Sequence, residues 1–172
     1  MGMDVMGSDP KSEKGSYFRN NVWWWHPLWD YCQNLHDDIA GKVEYGHSND
    51  GDGLDGDDAY RLGERLLSDI ESGVTAEYEA EYRKHLASLP VDDCQWCQGT
   101  GIRTDDIAVE HGMPDRELDE ATAIIVGRTH GYCNGCGGIG KKESWVTNYP
   151  FSVDNVREFA EFLLDCGGFS IC

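Results

Sequence analysis

Apolar positions return at helical spacing in four stretches of this 172-residue chain. Leu28, Tyr31, Leu35 and Ile39 predict a helix from about Pro27 to Ile39, with the proline in its first turn, where no amide donor is needed. Leu62, Leu66 and Ile70 predict a second helix from about Asp57 to Ser72, stopped by Gly73. Thr75 caps a third that runs to about Leu89, with Tyr78, Tyr82 and Leu86 on one stripe. The short link between these two makes them an antiparallel pair. Ser152 caps the last, Val153 to Asp165, with Val156, Phe159, Leu163 and Cys166 facing a core and Gly167 and Gly168 ending it. Phe169 and Ile171 then turn back towards the body. Residues 115–125 read as a short helix, and Ile124 to Val126 and Trp145 to Tyr149 as strands.

Ahead of the first helix the periodicity gives way to aromatic density. Four of the six tryptophans, Trp23, Trp24, Trp25 and Trp29, fall within seven residues. The first three are expected to be extended or turn-like. Rings so concentrated either fill a core or line a pocket for a planar ligand, and core is the usual employment. Were there a pocket, Arg19, Asn20, Asn21 and His26 would supply its polar contacts, with Arg19 meeting a phosphate.

Charge changes the picture. Thirty-two acids against fourteen bases leave −18. Residues 37–93 hold sixteen acids and five bases; residues 94–172 hold twelve and six. A phosphate backbone is repelled by such a surface, so direct nucleic-acid binding is not expected. A basic partner protein, including one that itself binds nucleic acid, is the complementary expectation. Glu64, Asp69, Glu71, Glu77, Glu79 and Glu81 form the expected acidic face on the helix pair. No apolar run reaches membrane-spanning length, and residues 1–15 lack the apolar centre of a signal peptide. They read as a flexible leader on a cytoplasmic protein without membrane contact.

The sharpest chemistry is a doubled motif. Cys94-Gln-Trp-Cys97-Gln-Gly99-Thr-Gly101 and Cys133-Asn-Gly-Cys136-Gly-Gly138-Ile-Gly140 both read CxxCxGxG, with 35 residues between Cys97 and Cys133. Each CxxC sets two sulfurs on one turn, and four thiolates are the shell of structural zinc. Disulfides or free thiols are the alternative, and nothing marks the chain for export. Four protein ligands leave no open position, so one structural Zn2+ is expected rather than a catalytic one. The doubled motif resembles the cysteine-rich zinc domain of DnaJ-type co-chaperones, in which such repeats pair into zinc centres. That family has four copies behind a J domain; this chain has two copies and no His-Pro-Asp. The resemblance implies a zinc knuckle pair and, more distantly, peptide capture. The segment Tyr17 to Tyr31, with Pro150-Phe-Ser-Val and Gly167-Gly-Phe, is similar to an uncharacterised bacterial and phage family, which implies no activity.

Other motifs fail on inspection. The Gly/Asp loop from His47 to Asp58 misses the EF-hand pattern at three positions, so its aspartates are read as caps for the next helix. Gly135, Gly137 and Gly140 spell GxGxxG, and residues 135–141 spell GxxxxGK, but the metal turn accounts for these glycines. There is no HExxH, GxSxG or zinc-deaminase signature. Cys32 and His36 stand four apart on a predicted helix, a spacing common by chance; Cys32, Cys166 and Cys172 read as spare thiols.

The expectation is therefore an α+β protein, a small mostly helical domain with an inserted four-cysteine zinc-ribbon or knuckle pair. Its segments are a leader (1–15), an aromatic and acidic helical region (16–93), a zinc segment (94–145) and a closing strand and helix (146–172). The expected function is a non-enzymatic acidic interaction protein, of the kind by which phages and mobile elements block host defence proteins. The alternatives are a small-molecule or nucleotide site at the tryptophans, or a chaperone accessory.

Overall fold

A computed structural model describes residues 2–172. It shows an α+β protein with a four-cysteine cluster. In chain order its first half runs β1 (Gly2–Gly7), α1 (Glu13–Ser16), β2 (Tyr17–Asn21), α2 (Val22–Ala40), β3 (Gly53–Asp55), α3 (Gly56–Ser72) and α4 (Val74–Ser88). The second half runs β4 (Val91–Asp93), α5 (Asp106–Glu110), α6 (Glu120–Val126), β5 (Lys141–Glu143), a 3-10 turn (Trp145–Asn148), α7 (Val153–Leu163) and β6 (Gly168–Ile171). Two compact units result, Met1–Ala87 with Asn148–Cys172, and Ser88–Thr147.

The larger unit is built on an antiparallel sheet ordered β2-β1-β6-β3. Its register sets Val5 between Phe18 and Ile171, and Leu54 opposite Phe169. Here the expected flexible leader gives way to a correction, since residues 2–7 are an interior strand. Met3 and Val5, two apart on one face, are buried. Two apolar residues are too short a pattern to read as a strand before its neighbours are known.

A second correction concerns the tryptophans. They are helical, because α2 begins at Val22, with Asn21 capping it through Trp24 N at 3.1 Å. Pro27 thus lies inside the helix, a placement that costs about 3 kcal/mol in an unsupported helix. Burying an indole of 150–250 Å² at about 25 cal/mol/Å² contributes roughly 4 to 6 kcal/mol. Both Trp25 and Trp29 are fully buried, so their burial outweighs the proline. Their rings stack at 5.5 Å and 9°, and Phe159 of α7 stands edge-on to both. Gly63 lets α3 and α7 approach closely; a Cβ there would sit 3.0 Å from Ala160 O.

Polar groups knit α2, α3 and α4 together. Asp69 accepts from Tyr31 Oη at 3.0 Å and lies 2.8 Å from His36 Nε2, while Tyr31 Oη also meets Thr75 Oγ1 at 2.9 Å. The expected Gly/Asp loop does cap, as Asp52 takes the amides of Tyr45 and Gly53 and Asp55 caps α3. Backbone bonds to Asp52 hold its carboxyl below the usual carboxylate range.

In the smaller unit β4 pairs with β5, and short helices are capped by Asp105 and Asp119. Ile124 to Val126, expected as a strand, completes α6, because the Asp119 cap extends a helix through it. Trp145 to Asn148, also expected extended, forms the 3-10 turn; among the described residues β5 pairs with β4 and ends at Glu143.

Candidate metal centre

The two CxxC turns bring four sulfurs together. Among the described residues, Cys94, Cys97, Cys133 and Cys136 form the one cluster of three or more ligating side chains, all within 4.8 Å of one another. Cys94 and Cys133 sulfurs lie 3.9 Å apart, and those of Cys97 and Cys136 3.8 Å. A metal–sulfur bond of about 2.3 Å gives a tetrahedral edge of about 3.8 Å, so the cluster is compatible with zinc.

The two turns repeat the same amide bond to sulfur. Gly101 N donates to Cys97 Sγ and Gly140 N to Cys136 Sγ, each at 3.2 Å. The glycines at these positions are obligatory. Gly101 has φ +74° and Gly140 +86°; a Cβ on the first would lie 2.2 Å from Gly138 O, and on the second 2.2 Å from Gly99 O. The turns therefore interlock backbone to backbone, each glycine filled by the other turn's carbonyl. Cys94 N, donating to Gly140 O at 2.9 Å, ties the start of one turn to the end of the other.

The four thiols differ in their surroundings. Burial pushes Cys133 up to about 12 and raises Cys136, while amides of Trp96 and Cys97 bring Cys94 down against its burial. A bound cation would offset the burial effect and hold all four as thiolates. Arg103, which sequence reasoning missed, braces the pair. It is buried, stacks 4.4 Å from the Trp96 ring, pairs with Asp105, and donates to Asn134 Oδ1 of the second turn at 3.0 Å. Its nearness to Gly101 in sequence carried no signal of that reach.

The other candidates separate. Trp25 and Trp29 belong to the core, and Asn20 is buried against Asn155 at 2.7 Å. Trp24 is half-buried, and Arg19 is exposed beside Asp4. Trp23 and His26 line a groove, with Trp23 edge-on to Tyr149. Of the expected acidic face, Glu64, Glu71, Glu77 and Glu81 are exposed. Asp69 and Glu79 are half-buried and engaged, Asp69 in the polar network and Glu79 by Arg83 and Val153 N. Cys32 is buried, and burial holds its thiol protonated. Cys166 is buried too and Cys172 exposed. No described helix is long and apolar enough to cross a membrane.

No family model, curated protein or solved structure matches this chain. The functional reading therefore rests on the site and surface alone.

Proposed function

We propose that the four cysteines hold one structural zinc ion and that the protein is a non-enzymatic interaction module with a basic protein partner. The observation that carries the zinc reading is how little else the smaller unit buries. Its buried apolar side chains are Cys94, Cys97, Cys133, Ala108 and Leu118, so three of five are the sulfurs themselves. A unit of this size needs a staple, and the cluster is where one fits. Zinc suits four thiolates at this spacing, and a shell closed by four protein ligands leaves no place for a reacting water. The chain's own residues do the rest. Gly101 and Gly140 amides share the sulfur charge, and Arg103 fixes one turn against the other.

The partner reading follows the charge. The larger unit carries most of the acid surplus, and Glu64, Glu71, Glu77 and Glu81 are exposed on α3 and α4. These meet a basic surface through long-range attraction, which speeds encounter and weakens with salt. The test is a four-fold Glu→Lys reversal at those positions. Its control reverses Asp106, Glu110, Asp115 and Glu120 in the smaller unit, an equal change in net charge. The reading expects a captured partner to be lost with the first set and retained with the second. Equal loss would reduce the effect to overall charge, and no loss would refute it.

A further inference from the structure

A groove of about 630 Å³ in the larger unit is bounded by Met3, Val22, Trp23, His26 and residues 47–50. That volume suits a small organic molecule. Its floor is not inert. The His26 and His47 rings are within 16° of parallel, with centroids 4.7 Å apart, yet their Nδ1 atoms are 2.7 Å apart. Rings lying face to face stay about 3.5 Å apart, so these must meet edge to edge, joined by an N–H···N hydrogen bond.

The direction of that bond follows from its far end. Asp30 Oδ1 lies 3.1 Å from His47 Nε2. A carboxylate accepts, so His47 carries its proton on Nε2 and, when neutral, accepts at Nδ1. His26 then donates from Nδ1, and its Nε2 keeps a lone pair. Among the described residues no hydrogen bond reaches that nitrogen, and it is not one of the buried unpartnered atoms. If it takes up a proton, the chain of bonds stays intact, with Asp30 balancing the charge. Burial and the neighbouring His47 hold His26 below the ordinary histidine range, which favours the lone pair at neutral pH.

The rest of the lining defines what fits. Met3, Val22 and Trp23 are apolar, and Trp23 is steadied by Tyr149 at 4.8 Å. Ser48, Asn49 and Asp50 are polar or acidic, and among the described residues no lysine or arginine lines the groove. Arg19, expected to meet a phosphate, sits beside Asp4 instead. Phosphate would therefore face Asp50 without a lysine or arginine beside it, whereas an aromatic plane with a donor would find Trp23 and the His26 lone pair.

We propose that this groove binds a planar, uncharged or cationic heteroaromatic molecule bearing an N–H donor, the chemistry of a nucleobase or nucleoside without its phosphates. His26 is the contacting base, and His47 and Asp30 are positioning residues. The site uses none of the cysteines and is independent of the charge-driven partner reading.

The test is calorimetric titration of the full-length, zinc-loaded protein with adenosine, guanosine, cytidine and uridine, each compared with its 5′-monophosphate. At least one nucleoside binds saturably, and its monophosphate binds about tenfold more weakly or worse. His26→Gln and Trp23→Ala each weaken binding at least about tenfold. Thermal melts confirm folding, and since Trp23 supports Tyr149, His26→Gln carries the result if Trp23→Ala melts early. A separate readout needs no ligand: ¹⁵N-histidine spectra show His26 with its proton on Nδ1, and Asp30→Ala, which removes the acceptor from His47 Nε2, weakens that preference. Silence from all four nucleosides, tighter monophosphate binding, unchanged affinity in His26→Gln, or a His26 proton on Nε2 in the free protein would each overturn the proposal.

Discussion

Replacing Gly101 or Gly140 with alanine tests whether the two turns interlock as described. Both substitutions place a Cβ in left-handed backbone, at a cost of about 1 to 2 kcal/mol. Both also put that Cβ 2.2 Å from a carbonyl oxygen of the opposite turn, which must retreat. Retreat disturbs the amide bonds to Cys97 and Cys136, and a bond to a charged group contributes about 1.5 to 3 kcal/mol. The total, about 2.5 to 5 kcal/mol, predicts a loss of zinc affinity of about two to three and a half orders of magnitude. Gly137 supplies the control, since its φ is +63° but a Cβ there meets nothing within 4 Å. Gly137→Ala should lose only the backbone cost, about tenfold. The assay is competition for zinc against a chromophoric chelator at fixed pH. Equal affinities for Gly101→Ala and Gly137→Ala would refute the interlocking, whatever the metal.

Three further outcomes are expected. Deleting residues 2–7 removes the strand between β2 and β6 and exposes two ladder edges, so the chain should lose its cooperative melt; an unchanged melting temperature would restore the leader reading. Tyr31→Phe strips a partner from buried Thr75 and from Asp69, and urea unfolding should show a loss of about 1 to 3 kcal/mol. His26 is held below its unfolded value of about 6.5, first by burial and then by His47, against the opposing pull of Asp30. The unfolded chain therefore binds its proton first, so this contribution is present above pH 6.5 and lost as pH falls through the folded value. Melts at pH 7.5 and 5.5 should show that loss in the parent and a smaller one in His26→Gln.

Sequence carried the local signals well. Ser152 and Asp55 cap helices at the expected places, Gly73 ends α3, and the doubled motif named all four sulfurs of the cluster. Each of these is written in a few adjacent residues. What escaped was decided at a distance. Val5 became strand because Phe18 and Ile171 flank it, and the tryptophans became helix because Phe159 and Phe169 give two of them a core. Trp145 had strand propensity, but β5 ends at Glu143 and a 3-10 turn follows. His47 and Asp30 meet only because the 41–52 loop folds back onto α2, and no spacing rule joins them. Arg103 was invisible for the same reason.

The most direct measurement is the metal content of the intact chain, by native mass spectrometry on protein purified without added metal. The account predicts one zinc per chain, and its removal by chelator should erase amide protection in residues 88–147. A metal-free chain whose amides in that stretch are protected just as well would contradict it.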